Sequence, residues 1–126
     1  MRLGAARRIR NARSHYELGN GGFRDDLGHY VRSNWEANFA RIMKIQGKEY
    51  EYEPKSFVLS NGRTYTPDFL IEGVFYEIKG RWTEQAKQKF EIFEKEYPEV
   101  KVQIIDCQKY KELRQQFQKL ILWEGK

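Results

Sequence analysis

Cys107 is the chain's one cysteine, so no internal disulfide can form and a cysteine-rich zinc site is excluded. Histidine is nearly as scarce. His15 and His29 are isolated and lack the partner residues of a histidine-metal nuclease, so both read as ordinary residues. No apolar run approaches the roughly 18 residues of a membrane-spanning helix. No apolar stretch follows the first arginines either, so no secretory signal is expected, and the natural setting is cytoplasmic. Acidic residues are missing from positions 1–13, where Arg2, Arg7, Arg8, Arg10 and Arg13 lie. That segment accounts for the whole net charge of +5, and the rest of the chain is formally neutral. A basic segment of this kind points to a polyanionic partner, nucleic acid above all. A solvated tail is the plainer reading. A transit peptide is disfavoured by the lack of serine richness and of an apolar face.

Turning to what is present, 126 residues suffice for one domain with a single core. Charged residues at 33% and aromatics at 15% fit a globular chain, not a disordered one. Residues 1–28 read as a basic, then glycine-rich arm, partly disordered without a ligand, with Phe23 and Leu27 as possible anchors. Residues 29–126 form the expected folded domain. Val31, Trp35, Phe39 and Ile42 make one apolar stripe on a helix from about Val31 to Gln46, closed by Gly47. Tyr50–Pro54 and Ser56–Leu59 read as strands, and Asn61-Gly62 signals a hairpin. Arg63–Ile71 and Val74–Lys79 follow as strands, joined through Glu72-Gly73. Thr83 caps a second helix over Glu84–Glu96, with Ala86, Phe90, Phe93 and Tyr97 on its apolar face and Pro98 beyond its end. Val100–Ile105 is a strand, and Tyr110, Leu113, Phe117, Leu120 and Ile121 define a third helix. A strand, a crossover helix and a strand imply parallel pairing. The predicted fold class is α/β, a mixed sheet flanked by helices.

The stretch Thr64-Tyr-Thr-Pro-Asp68-Phe-Leu-Ile-Glu-Gly-Val-Phe-Tyr-Glu77-Ile-Lys79-Gly carries the chemistry. It sets two carboxylates and a lysine among apolar strand residues, where unpaired charge is costly. Glu77 and Lys79 share one strand face. Pro67 has no amide to give the ladder and can aim Asp68 at the neighbouring strand. Asp68, Glu77 and the backbone carbonyl of Ile78 would then hold a hard divalent cation, Mg²⁺ with Mn²⁺ able to substitute, and water would complete the octahedron. Such a site suits phosphodiester hydrolysis, with Lys79 stabilising charge on the phosphate or helping to deprotonate water. The plainer reading is a surface Glu–Lys pair with Pro67-Asp68 as a turn. Lys55, Arg63 and Arg81 sit near the presumed site and are candidates for phosphate contact, together with Arg7, Arg8, Arg10 and Arg13 of the arm; each also reads as a solvated charge. Lys87, Lys89 and Lys95 read as a solvent face with helical ion pairs. Trp82 is expected to pack under the Gly80 turn, with stacking on DNA as the alternative. Cys107 reads as buried.

These motifs resemble the PD-(D/E)xK nuclease superfamily, whose core is a helix, three strands, a helix and a strand. More narrowly, Tyr52-Glu53, Thr64-Tyr-Thr-Pro-Asp-Phe-Leu, Glu77-x-Lys79-Gly80-x-Trp82 and, weakly, Pro98-Glu99 are similar to the endonuclease I family of phage Holliday-junction resolvases. The likeness covers roughly residues 50–105 and leaves residues 1–30 without a counterpart. It implies a restriction-endonuclease-like core with an added C-terminal helix, and a divalent-metal nuclease that cuts branched DNA as a homodimer. It also implies a catalytic glutamate on the first helix, which falls on Glu36. Ser33-Asn-Trp-Glu36 competes as a capping box.

Three functions are therefore in play. The first is a structure-selective endonuclease for four-way junctions, a homodimer in which the 49–66 hairpin is exchanged or paired between subunits, acting in the host cytoplasm if phage-encoded. The second is a homing-type, nicking or restriction-like endonuclease on duplex DNA. The third is a non-catalytic DNA-binding module on a nuclease core. None involves a membrane or a small-molecule cofactor.

Overall fold

Proline and glycine decide where the strands break and turn. The computed structural model describes residues 20–125, which form two compact units: Gly47–Phe117, and a second built from the described residues before and after it.

In the second unit, Gly22–Arg24 (β1) pairs antiparallel with His29–Val31 (β2). The connecting turn closes through the Gly28 amide on the Arg24 carbonyl at 2.8 Å. The expected arm thus gives way to ordered hairpin before residue 28, and its end is anchored by Leu27, which is buried, whereas Phe23 is exposed. Arg7, Arg8, Arg10 and Arg13 lie outside the described residues. The helix α1 spans Asn34–Ile45, not Val31–Gln46, because Val31 is held in β2 and Ser33 takes the cap. Ser33 Oγ accepts from the Glu36 amide at 3.2 Å. Glu36 Oε1 reaches back to the Arg32 amide at 3.2 Å, one residue beyond the usual capping-box target.

Residues 118–125 belong to this unit rather than continuing the third helix. Asn38 and Arg41, one turn apart on α1, hold them. The Asn38 side-chain amide exchanges two hydrogen bonds with the Glu124 backbone, at 2.9 and 3.0 Å. Arg41 and Arg24 each bind the Glu124 carboxylate at 2.7 Å, and Arg41 also binds Asp26 at 2.7 Å. Burial raises the Glu124 pKa, but the hydrogen bonds from the two arginines outweigh it and leave the carboxyl below its ordinary value. The apolar spacing of Leu120 and Ile121 suggested helix; these long-range bonds override it, and Leu120 is 60% exposed.

The unit Gly47–Phe117 carries a four-stranded mixed sheet. Its strands are Glu51–Tyr52 (β3), Phe69–Ile71 (β6), Val74–Ile78 (β7) and Val102–Ile105 (β8), in the order β3-β6-β7-β8. β7 and β8 are parallel, joined by the helix Glu84–Glu96 (α2), as a strand–helix–strand crossover requires. Thr83 caps α2, accepting from the Ala86 amide at 3.0 Å. Glu72 and Gly73 both take positive φ, 51° and 84°, in the two-residue turn that pairs Ile71 with Val74. A separate hairpin joins Phe57–Val58 (β4) to Thr64–Tyr65 (β5). It is built on the Asn61-Gly62 signal, with Gly62 at φ 86°. The expected single strand over Arg63–Ile71 is therefore two strands in two sheets, separated at Pro67. A third helix, Cys107–Phe117 (α3), follows β8.

One side of this unit is an aromatic core. Phe57, Leu59 and Tyr65 of the hairpin meet Phe75 of the sheet and Phe93 of α2, with Leu70, Phe90, Tyr97 and Val102 around them. Phe93 is 1% exposed, and its burial contributes on the order of 2–3 kcal/mol. No helix among the described residues is long and apolar enough to cross a membrane.

Candidate active site

Continuing the β6–β7 register one step past Phe69↔Tyr76 sets Asp68 opposite Glu77. Alternation then places Asp68, Leu70, Phe75, Glu77 and Lys79 on one face, the face that α2 and the β4–β5 hairpin cover. The break at Pro67, itself fully buried, lets the chain leave β5 and enter β6 just before Asp68.

Asp68 is held at two points. Its carbonyl accepts from the Glu53 amide at 2.8 Å, and its Oδ2 accepts from the Ile78 amide at 2.7 Å. Ile78 thus meets Asp68 through its amide. Glu77 is buried alongside, with both carboxylates only 7% exposed. Glu77 Oε1 accepts from the Tyr65 hydroxyl at 3.0 Å, and Oε2 lies 3.4 Å from Lys79 Nζ. Burial pushes the Glu77 pKa up; the charge of Lys79 and the hydrogen bond from Tyr65 pull the other way without cancelling it. A strongly desolvated carboxylate paired with a lysine is the kind of perturbed pair that functional sites display.

Lys79 Nζ also stands 5.6 Å from the centre of the Trp82 ring, a cation–π contact, and Trp82 in turn packs on Phe90 at 5.7 Å. Trp82 therefore ties the loop after β7 to α2 as well as flanking Lys79. Among the remaining predicted residues, Lys55, Arg63 and Arg81 are exposed. Lys55 sits over the Phe57 ring at 5.1 Å. Glu36 lies in the unit that contains α1, where it is 7% exposed.

Two expectations are corrected here. Lys89 does not lie on a solvent face. It is half-buried, and desolvation, then repulsion from Lys79, lowers its pKa, with Glu77 and Arg63 among the charges it feels. The i, i+3 spacing of Ala86, Lys89 and the neighbouring Phe90–Phe93 stripe was the available signal, since Lys89 borders the apolar face. Cys107 is exposed, and its Sγ donates to the Gly80 carbonyl at 3.1 Å, which tethers the start of α3 to the turn after Lys79. A tyrosine in a strand reads as core, so the sequence does not single out Tyr65; only the folded register brings its hydroxyl to Glu77.

Among the described residues no group of three or more His, Cys, Asp or Glu side chains is arranged to hold a metal ion. The donor set is instead two buried carboxylates beside backbone groups. That is unlike a zinc site and fits a magnesium-type ion, which is held through one or two carboxylates and keeps several waters.

An α/β unit that presents a Pro-Asp and a Glu-x-Lys from adjacent antiparallel strands defines a nuclease-like class of site. The family model for phage endonuclease I matches residues 22–118, a wider span than the motifs alone carried, and the chain belongs to that family. It is 34% identical over 79 residues to a protein named Endonuclease I of Escherichia phage T7, covering 59% of this chain and 52% of the relative. It is 27% identical over 82 residues to Endodeoxyribonuclease 1 of Enterobacteria phage T3, covering 62% of this chain and 54% of the relative. The chain spans about half the length of these curated relatives.

Proposed function

We propose that this chain is a metal-dependent, structure-selective DNA endonuclease that hydrolyses phosphodiesters at branched DNA such as four-way junctions. The observation that carries the reading is the meeting of Asp68, Glu77 and Lys79 across β6 and β7, with both carboxylates buried. The names of the phage relatives support the endonuclease activity.

In this reading Asp68 and Glu77, with the Ile78 carbonyl, hold the cation. A bound magnesium ion supplies Lewis acidity and lowers the pKa of a coordinated water. Lys79, paired to Glu77 without DNA, turns its ammonium to the scissile phosphate and stabilises the charge that grows there. The exposed Arg63, Arg81 and Lys55 contact flanking phosphates, and the arginines of segment 1–13 add positive charge for the same partner. Two symmetric cuts across a junction require two sites, which a twofold homodimer supplies. We place its action in the cytoplasm, that of the host cell if the chain is phage-encoded.

The test is cleavage of a four-way junction, a flap, single strands and linear duplex, with and without Mg²⁺. The junction should be cut only with Mg²⁺, or with Mn²⁺ in its place. Lys79→Ala should reduce cutting to background while weakening binding by no more than the loss of a single phosphate contact, and Glu36→Gln reads the family-implied acid. Cutting of plain duplex at one sequence, without junction preference, selects the duplex endonuclease instead. Metal-independent binding with no cutting of any substrate selects a non-catalytic module. Sedimentation at the 15.2 kDa mass of one chain in the presence of junction DNA removes the dimer.

A further inference from the structure

Tyr65 has a place in the site that its sequence context does not announce. Its ring is 5% exposed and is fixed on two sides by α2, at 4.6 Å from the Phe93 ring and 5.7 Å from the Phe90 ring. β5 fixes its backbone through pairing with Phe57. The hydroxyl is thereby held at a set point, 3.0 Å from Glu77 Oε1. A glutamate carboxylate otherwise turns freely about its last bond, because that torsion is broad. A donor locked onto Oε1 stops the turning and leaves Oε2 as the oxygen directed at Lys79.

We propose that Tyr65 is a positioning residue for the cleavage reaction: its hydroxyl orients the Glu77 carboxylate so that Oε2 is presented to a divalent cation. This rests on the reading of Asp68 and Glu77 as the cation's ligands. The chemistry is that of an outer partner which fixes the orientation of a ligating group. In this contact the Tyr65 hydroxyl is the donor and Glu77 Oε1 the acceptor. The same tyrosine closes the aromatic core, so its ring and its hydroxyl have separable roles. Tyr65→Phe keeps the first and removes the second.

The experiment is calorimetric titration of MnCl₂ into the full chain without DNA, comparing the parent with Tyr65→Phe, alongside thermal melts of both. Tyr65→Phe should bind Mn²⁺ about 10–100-fold more weakly. The Mg²⁺ concentration for half-maximal junction cleavage should rise in parallel, while the rate at saturating Mg²⁺ recovers most of the parental value. Equal Mn²⁺ affinity in parent and variant overturns the proposal, even if the variant melts earlier, because Tyr65 then serves packing alone. A second measurement uses only the parent: the NMR resonance of the Tyr65 hydroxyl proton should move as Mg²⁺ is added. A resonance that stays put while the cation binds also overturns it. A parent chain that binds no Mn²⁺ removes the ligand reading itself and this proposal with it, an outcome distinct from equal affinities.

Discussion

Burying a carboxylate as deeply as Glu77 costs stability whenever it is ionised, and that cost has a sign that can be measured. Its folded pKa is raised, by burial first, against the opposing pull of Lys79 and Tyr65. The group therefore contributes most favourably at pH below its unfolded value, and that contribution is lost as pH rises through the folded value. Without metal, Glu77→Gln should melt a few degrees higher than the parent at about pH 8, and the gain should vanish near about pH 4. The same variant should lose cleavage while still binding DNA, because removing a negative charge does not weaken phosphate attraction. Differential scanning fluorimetry in EDTA at both pH values, with a gel cleavage assay, checks it. A variant that cuts at the parental rate sinks the assignment of Glu77. At this scale the sequence marks Asp68, Glu77 and Lys79 as candidates, because Pro-Asp and Glu-x-Lys combine charge with a strand setting that makes buried charge unusual. Tyr65 and Lys89 were hidden, since neither residue type is unexpected in a strand or on a helix flank.

The helix α2 does more than cover the sheet. Its Phe90 and Phe93 grip Tyr65, its Phe90 supports Trp82 beside Lys79, and its Lys89 is half-buried and feels the charges of Lys79 and Glu77. Together with Lys79, Lys89 places positive charge around Glu77 from two separate segments, β7 and α2. Lys89→Gln should therefore weaken junction binding and lower the slope of log K against log salt by about 1, the share of a single phosphate contact. Lys87→Gln, on the exposed side of the same helix, should leave the slope unchanged and serves as the control. Binding isotherms at several salt concentrations decide the matter, and equal slopes for the two variants would return Lys89 to a purely structural role. Element boundaries follow the same logic. α2 was legible to the residue because Thr83 and Pro98 bracket it chemically. The helix α3 was overextended because the apolar period ran on through Leu120, and the bonds from Asn38 and Arg41 to Glu124 lie outside any local window.

At the scale of the whole chain, charge is distributed in blocks, with the net +5 resident in residues 1–13. If that block follows the DNA backbone, deleting it should weaken binding and reduce the salt slope by about 4–5 units. Fluorescence anisotropy with labelled junction DNA measures both, and an unchanged slope would make the segment a bystander. Fold class, the crossover that makes β7 and β8 parallel, the hairpin at Asn61-Gly62 and the two acidic motifs could all be read from the chain. Each depends on local chemistry: side-chain period, a missing amide, a residue that tolerates positive φ. The division of residues 63–71 between two sheets, the clasp on Glu124, the partial burial of Lys89 and the hydroxyl that holds Glu77 came only with folding. Those features join residues distant in sequence, and their energy exists only once the backbone has brought the partners within hydrogen-bonding or contact distance.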